Sequence, residues 1–239
     1  MAARLPSSNF HTKAPMHGTL ANPMWSSLTT SHAGFAHACG PLLRFAPDVA
    51  PFCAVEHAGA DLGALDCMHR GEIVYFLGVA PALAAGWKLE SAFQVLQMVY
   101  DARRAPGAPC QTPAVALGEA DIGAMLDLTA LAYPEFFRPR TAALGHYIGV
   151  HTPHGLAAMA GQRLASTGYR EISAVVTHPA HGGMGHAAHL IRQLSGMILA
   201  EGRTPYLHVS ASNKRAWALY ENLGFVPTRE LHSVKIRIA

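Results

Sequence analysis

The stretch from Glu171 to Phe225 restricts the fold most. Its first part, Val175-Val176-Thr177-His178-Pro179-Ala180-His181-Gly182-Gly183-Met184-Gly185-His186-Ala187-Ala188, runs from a β-branched segment through a proline into a glycine cluster. Beyond it, Ala187, Leu190, Ile191, Leu194, Met197 and Ile198 form an apolar stripe at helical spacing, closed by Gly202. That order predicts a strand, a tight loop and a helix. Such a junction presents unpaired backbone N–H groups at a helix N-terminus, a ready site for a phosphate.

Three phosphate-binding patterns compete for the loop. The P-loop needs a lysine after its glycines, and none follows Gly185. Gly183-x-Gly185-x-x-Ala188 matches the dinucleotide fingerprint on its face. That fingerprint also needs an acid at the end of the next strand to hold the ribose, and the next strand ends Val209-Ser210-Ala211-Ser212-Asn213. The third pattern takes in more of the chain: Gly182-x-x-Gly185-x-Ala187, then Asn213-x-x-Ala216-x-x-x-Tyr220, then Gly224-Phe225.

In that order and spacing the chain resembles the GNAT superfamily of acyl-CoA-dependent N-acyltransferases, from about Gly118 to the C-terminus. The resemblance implies an α/β (α+β) fold. Its GNAT-type sheet is mixed and largely antiparallel, with splayed central parallel strands, flanked by helices, and with a slot for acetyl-CoA as co-substrate. The cofactor-binding residues it implies are Val175, Val176 and Thr177 on the strand, and Gly182, Gly183, Met184, Gly185, His186 and Ala187 around the loop. Asn213, Ala216 and Tyr220 on the later helix complete them. Tyr220 is implied to lie near the CoA sulfur and to protonate the departing thiolate, a proton transfer between groups of comparable basicity. Gly182 stands where the family usually has Gln or Arg, so the loop is expected to use backbone donors alone and to bind CoA more weakly.

A general base must take a proton from the acceptor amine. Glu171, at the start of the cofactor strand, is the first candidate, and its plain alternative is a surface carboxylate at a strand end. His208, mid-strand beside the cleft, is the second, and a lone strand histidine is more often only packed. Arg138 and Arg140 occupy a loop that shapes the acceptor pocket in the family, or a solvated loop. The reading is therefore an N-acetyltransferase moving an acetyl group from acetyl-CoA to a primary amine, small molecule or peptide, by direct attack in a ternary complex. The alternative is a non-catalytic acyl-CoA-binding sensor or regulatory module.

With 239 residues, half of them hydrophobic and 14% charged, the chain has ample material for a core. A net charge of +3 with no Lys/Arg run argues against nucleic-acid binding. The longest apolar run, Ile73 to Trp87, is short for a membrane span and broken by Gly78 and Pro81. The 15 histidines are scattered without metal-ligand spacing. Cys39, Cys53, Cys67 and Cys110 are read as reduced thiols of a cytoplasmic protein. Composition divides the chain into a flexible tail (1–20), a smaller N-terminal α/β domain (21–107) and the GNAT N-acyltransferase domain (112–239), parted at Pro106–Pro113. The first half is expected to hold a short helix within Pro23–His37, a strand at Pro51–Glu56, a helix from Asp61 to about His69, a strand at Glu72–Val79 and an amphipathic helix at Ser91–Arg103. It is read as a diverged GNAT-like partner covering the acceptor cleft or as a homodimer surface.

Overall fold

A computed structural model describes residues 18–62, 65, 67–103 and 114–239. The short helix α1 (Pro23–Thr29) starts at Asn22, whose side chain accepts a hydrogen bond from the Trp25 N–H. Next comes a small antiparallel sheet of β1 (Ala36–Cys39), β2 (Leu42–Phe45) and β3 (Cys53–Val55). The main body follows: β4 (Ile73–Leu77), β5 (Trp87–Tyr100), β6 (Val115–Ala116), α2 (Ile122–Ala130), β7 (Tyr147–Thr152), β8 (Gly155–Ser166), β9 (Tyr169–Thr177), α3 (His186–Ala200), β10 (Thr204–Ser210), α4 (Lys214–Asn222) and β11 (Phe225–Ile238). The main sheet has eight strands in the order β4-β11-β5-β10-β9-β8-β7-β6.

The expected mixed, largely antiparallel sheet is present. β9 and β10 are its one parallel pair, and they are bonded only from Tyr169↔Thr204 to Ile172↔Leu207. Past that point each strand continues without the other, β9 to Thr177 and β10 to Ser210, so the sheet opens into a V. Helices α3 and α4 close one face. Leu190, Ile191, Leu194 and Ile198 of α3 are fully buried against Ile172, Leu207 and Phe225. Burying each such side chain contributes about 1.5–3 kcal/mol. α1 and the segment leading into it cover the other face, where Leu20, Met24 and Leu28 pack on Val95, Val99, Leu164 and Tyr206. α2 packs beside them on Tyr147, Met159 and Val176.

Four expectations for the first half change. Ser91–Arg103 is not a helix: β5 runs straight through it, between β11 and β10. Phe93, Leu96, Gln97 and Tyr100 do stand at helical steps, but Val95 to Val99 is buried on both faces of the sheet, so no alternation betrays the strand. The helix expected from Asp61 to His69 is also absent among the described residues there, which lie in turns and irregular chain. A disulfide ties Cys67 to Cys39 at the end of β1, with Cα atoms 6.0 Å apart, and the Arg44 Nη1 donates to the Cys67 carbonyl at 2.9 Å. Cys39 and Cys67 are thus not reduced thiols; Cys53 is free and buried, and Cys110 lies outside the described residues. The tail does not extend to residue 20, because Leu20 is fully buried and its carbonyl accepts from Gln97 Nε2 at 2.9 Å.

The division at 107–112 does not divide the sheet. β5, from the first half, is interior to the strand order that the second half completes, and β4, also from the first half, forms the outer edge beside β11. The Pro106–Pro113 stretch itself lies outside the described residues. The closing strand begins at Phe225, and Pro227 is accommodated at a register shift against β5. No described helix is long and apolar enough to cross a membrane.

Candidate functional site

The V between β9 and β10 opens onto a cleft of about 470 Å³. Val175 and Thr177 of β9 form one wall, and Asn213, Ala216 and Tyr220 at the start and along α4 form the other. The glycine loop and the first turn of α3 close the far end through Gly182, Gly183, Gly185, His186 and Ala187. Pro179, Ala188, Arg215 and Leu219 line it as well. Two of the expected cofactor residues do not. Val176 alternates to the opposite face and packs with Met125 and Leu128, and Met184 points outward, 60% exposed.

The glycines serve the loop through backbone shape. Gly183 and Gly185 have φ of 81° and 80°, the left-handed region that L side chains disfavour. A Cβ at either would meet no protein atom within 4 Å, so conformation rather than local crowding requires glycine there. Gly185 is the N-cap of α3 and offers no side-chain cap, which leaves the first N–H groups of the helix open toward the cleft. Gly182 is different: its φ of −62° suits any residue, and a Cβ would make an ordinary 3.4 Å contact with the Pro179 carbonyl. Asn213 caps α4 by accepting from the Ala216 N–H at 3.0 Å, which leaves its amide nitrogen for a ligand. The Tyr220 ring is largely buried, and its hydroxyl has no hydrogen-bond partner among the described residues. Burial pushes its pKa up to about 12, so the phenol keeps its proton at neutral pH.

At the apex of the V, Glu171 and His208 are side by side. His208 Nδ1 lies 2.7 Å from Glu171 Oε1, and its Nε2 lies 3.1 Å from the Gln97 amide nitrogen. That amide also donates to Leu20, so Nε2 accepts, and Nδ1 carries the proton that His208 gives to Glu171. Glu171 is no surface carboxylate: it is 1% exposed. Arg163 grips it bidentately at 2.9 and 2.7 Å, and the Leu164 N–H adds a bond at 3.2 Å. Burial alone would raise its pKa. The Arg163 charge and hydrogen bonds, with the bond from His208, outweigh burial and hold it at about 2. Arg140 turns away to Asp48 at 3.1 Å, whereas Arg138 donates its backbone N–H to Thr141. No motif or spacing singles out Arg163 or Gln97. The one available signal was a lone cation inside the apolar strand Met159–Ala165.

Strand β9 bulges where it passes the apex. Gly161 faces Ser173 and Met159 faces Val176, so Ala160 alone opposes both Ala174 and Val175. Ala174 has φ 50°, the only positive value outside glycine among the described residues. The extra residue takes backbone groups out of the β8–β9 ladder.

The family profile described as FR47-like protein matches residues 147–233. A GNAT-family protein of Novosphingobium aromaticivorans, named an acetyltransferase by assignment, is 32% identical, with a TM-score of 0.79 over 92% of this chain and 98% of its own. The chain belongs to the GNAT family. A GCN5-related N-acetyltransferase of Kribbella flavida has a similar fold at 16% identity, TM-score 0.61, over 93% of this chain and 96% of its own. No protein of curated function matches the chain significantly.

Proposed function

We propose that the chain is an N-acetyltransferase that moves an acetyl group from acetyl-CoA to a primary amine by direct attack in a ternary complex. The observation that carries this reading is the cleft itself: open helix N–H groups and left-handed glycines at one end and a protonated tyrosine on the α4 wall. The buried Glu171–His208 pair lies beside it, at the last bonded rungs of β9 and β10, and does not line it. Bound acetyl-CoA supplies the acetyl group as an activated thioester. The loop N–H groups and the α3 N-terminus hold its pyrophosphate. The bulge at Ala174 and Val175 offers backbone donors toward the acyl carbonyl. Tyr220 gives its proton to the departing sulfur. Glu171, ionised and fully hydrogen-bonded, is a poor base, so it orients His208, and His208 Nε2 takes the amine proton as the Gln97 contact yields. Holding both substrates in one cleft supplies much of the rate.

One observation favours the second reading, an acyl-CoA-binding sensor: Gln97 already occupies the histidine lone pair. Tyr220→Phe separates the two. An enzyme loses about 10–100-fold in kcat with CoA affinity unchanged, measured by thiol release with an amine panel and by CoA titration. Failure of acetyl-CoA to raise the melting temperature sinks both.

A further inference from the structure

On the far side of β9 from the cofactor cleft lies a second, smaller cavity of about 20 Å³. Ser173 and Ala174 line it, whereas Val175 and Thr177 line the cofactor cleft, so the bulge is the partition between the two. Its other walls are Tyr133, Phe136, Phe137, Tyr147 and Arg163, with Thr141, whose hydroxyl accepts from the Arg138 N–H and donates to the Val49 carbonyl. Space of this size holds a group only slightly larger than a water.

The polar groups in this cavity are all donors or hydroxyls. Arg163 spends Nε and Nη2 on Glu171 and stacks on Phe52, Cζ 4.7 Å from the ring centre. Its Nη1 has no hydrogen bond to any described residue. The Tyr147 hydroxyl is buried without a partner, in a residue only 3% exposed. A side chain at Gly161, across the strand pair, would run into the Tyr147 ring, so glycine there allows the ring its position. Ser173 makes no side-chain hydrogen bond among the described residues. An unpartnered buried hydroxyl and a free guanidinium edge each cost stability unless an acceptor arrives. The Glu171 oxygens cannot serve, since they already take four donors, from Arg163 twice, Leu164 and His208.

We propose that this cavity receives the carboxylate of the acceptor, and that the acceptor is a free amino acid rather than a peptide or an alkylamine. The inference rests on the acetyltransferase reading. A planar carboxylate matches the free guanidinium edge and the phenol, and fits where an arene does not. The cavity touches the bulge, so an amine one carbon from that carboxylate reaches the partition where the acyl group lies. In a peptide the α-amine has only an amide at that distance, which leaves Arg163 unanswered.

The test is thiol release from acetyl-CoA with the proteinogenic L-amino acids, each paired with its α-amide, and with propylamine, alongside calorimetric titration of the same compounds into the CoA-loaded protein. At least one free amino acid should bind and turn over with kcat/KM about 100-fold above its amide. Tyr147→Phe should weaken its calorimetric affinity about tenfold, with the melting shift produced by acetyl-CoA retained as a control for folding. Equal use of acid and amide, preference for propylamine, or no free amino acid bound although acetyl-CoA raises the melting temperature would overturn the inference and leave acetyl transfer standing. Absence of any acetyl-CoA shift would remove the acetyltransferase reading and this inference with it.

Discussion

Two residues make opposite demands on their surroundings. Gly182 has an ordinary φ and room for a Cβ, so nothing in the fold holds it as glycine. An arginine there gains a charge beside the pyrophosphate site without backbone strain, and Gly182→Arg should tighten CoA binding several-fold in a direct titration. Unchanged or weaker binding would show that position 182 does not face the phosphates. Glu171 is the reverse case, fixed on every oxygen. Its folded pKa of about 2 lies below the ordinary glutamate value of 4.5, so its ionised form stabilises the fold above pH 4.5. That contribution disappears as the pH falls from about 4.5 to about 2. Glu171→Gln leaves Arg163 as an uncompensated buried charge and should cost about 3 kcal/mol at neutral pH. It should also flatten the acid limb of stability against pH, measured by urea unfolding at stepped pH. An acid limb identical to that of the unsubstituted protein would mean that another carboxylate controls it.

At the scale of elements, what local pattern encodes was legible and what pairing encodes was not. β9, the glycine loop, α3 and α4 each carry a period or a cap within a few residues, and all four lie within two residues of where the sequence puts them. β5 was misread because a strand covered on both faces loses its alternation, and the residues at 93, 96, 97 and 100 then imitate a helix. The site divides in the same way. The phosphate end is one contiguous motif. The Arg163–Glu171–His208–Gln97 network joins four adjacent strands of the sheet, β8, β9, β10 and β5, and the His208–Gln97 bond spans 111 positions of sequence. The bulge in β9 was invisible for a similar reason: alanine gives no sign of a left-handed φ. Ala174→Gly should leave the melting temperature unchanged or raise it slightly, because glycine adopts φ 50° without strain. Ala174→Val should cost about 1–2 kcal/mol and reduce turnover by shifting the backbone donors. Calorimetric melting and thiol release on the two variants read both effects, and a valine variant as stable as the alanine would argue that the bulge relaxes freely.

For the molecule as a whole, the decisive fact is where β5 lies. It is bonded along its length to β11 and at its C-terminal end to β10, and it arises from the half of the chain that composition alone sets apart. Gln97 of that strand also holds His208, so the first half supplies part of the site's frame as well as part of the sheet. A fragment of residues 112–239 would lack the strand between β10 and β11. Without β4 as well, it would expose one edge of β10, both edges of β11 and the apolar faces now covered by Val95, Leu96, Met98 and Val99. Open edges with apolar flanks favour association over folding. Expressed alone, 112–239 should therefore be insoluble or melt without a cooperative transition, and coexpression with residues 1–103 should restore a soluble complex that acetyl-CoA stabilises. A fragment that melts cooperatively by itself and binds acetyl-CoA would establish instead that the GNAT half folds as an independent domain and that β5 is an addition to its edge.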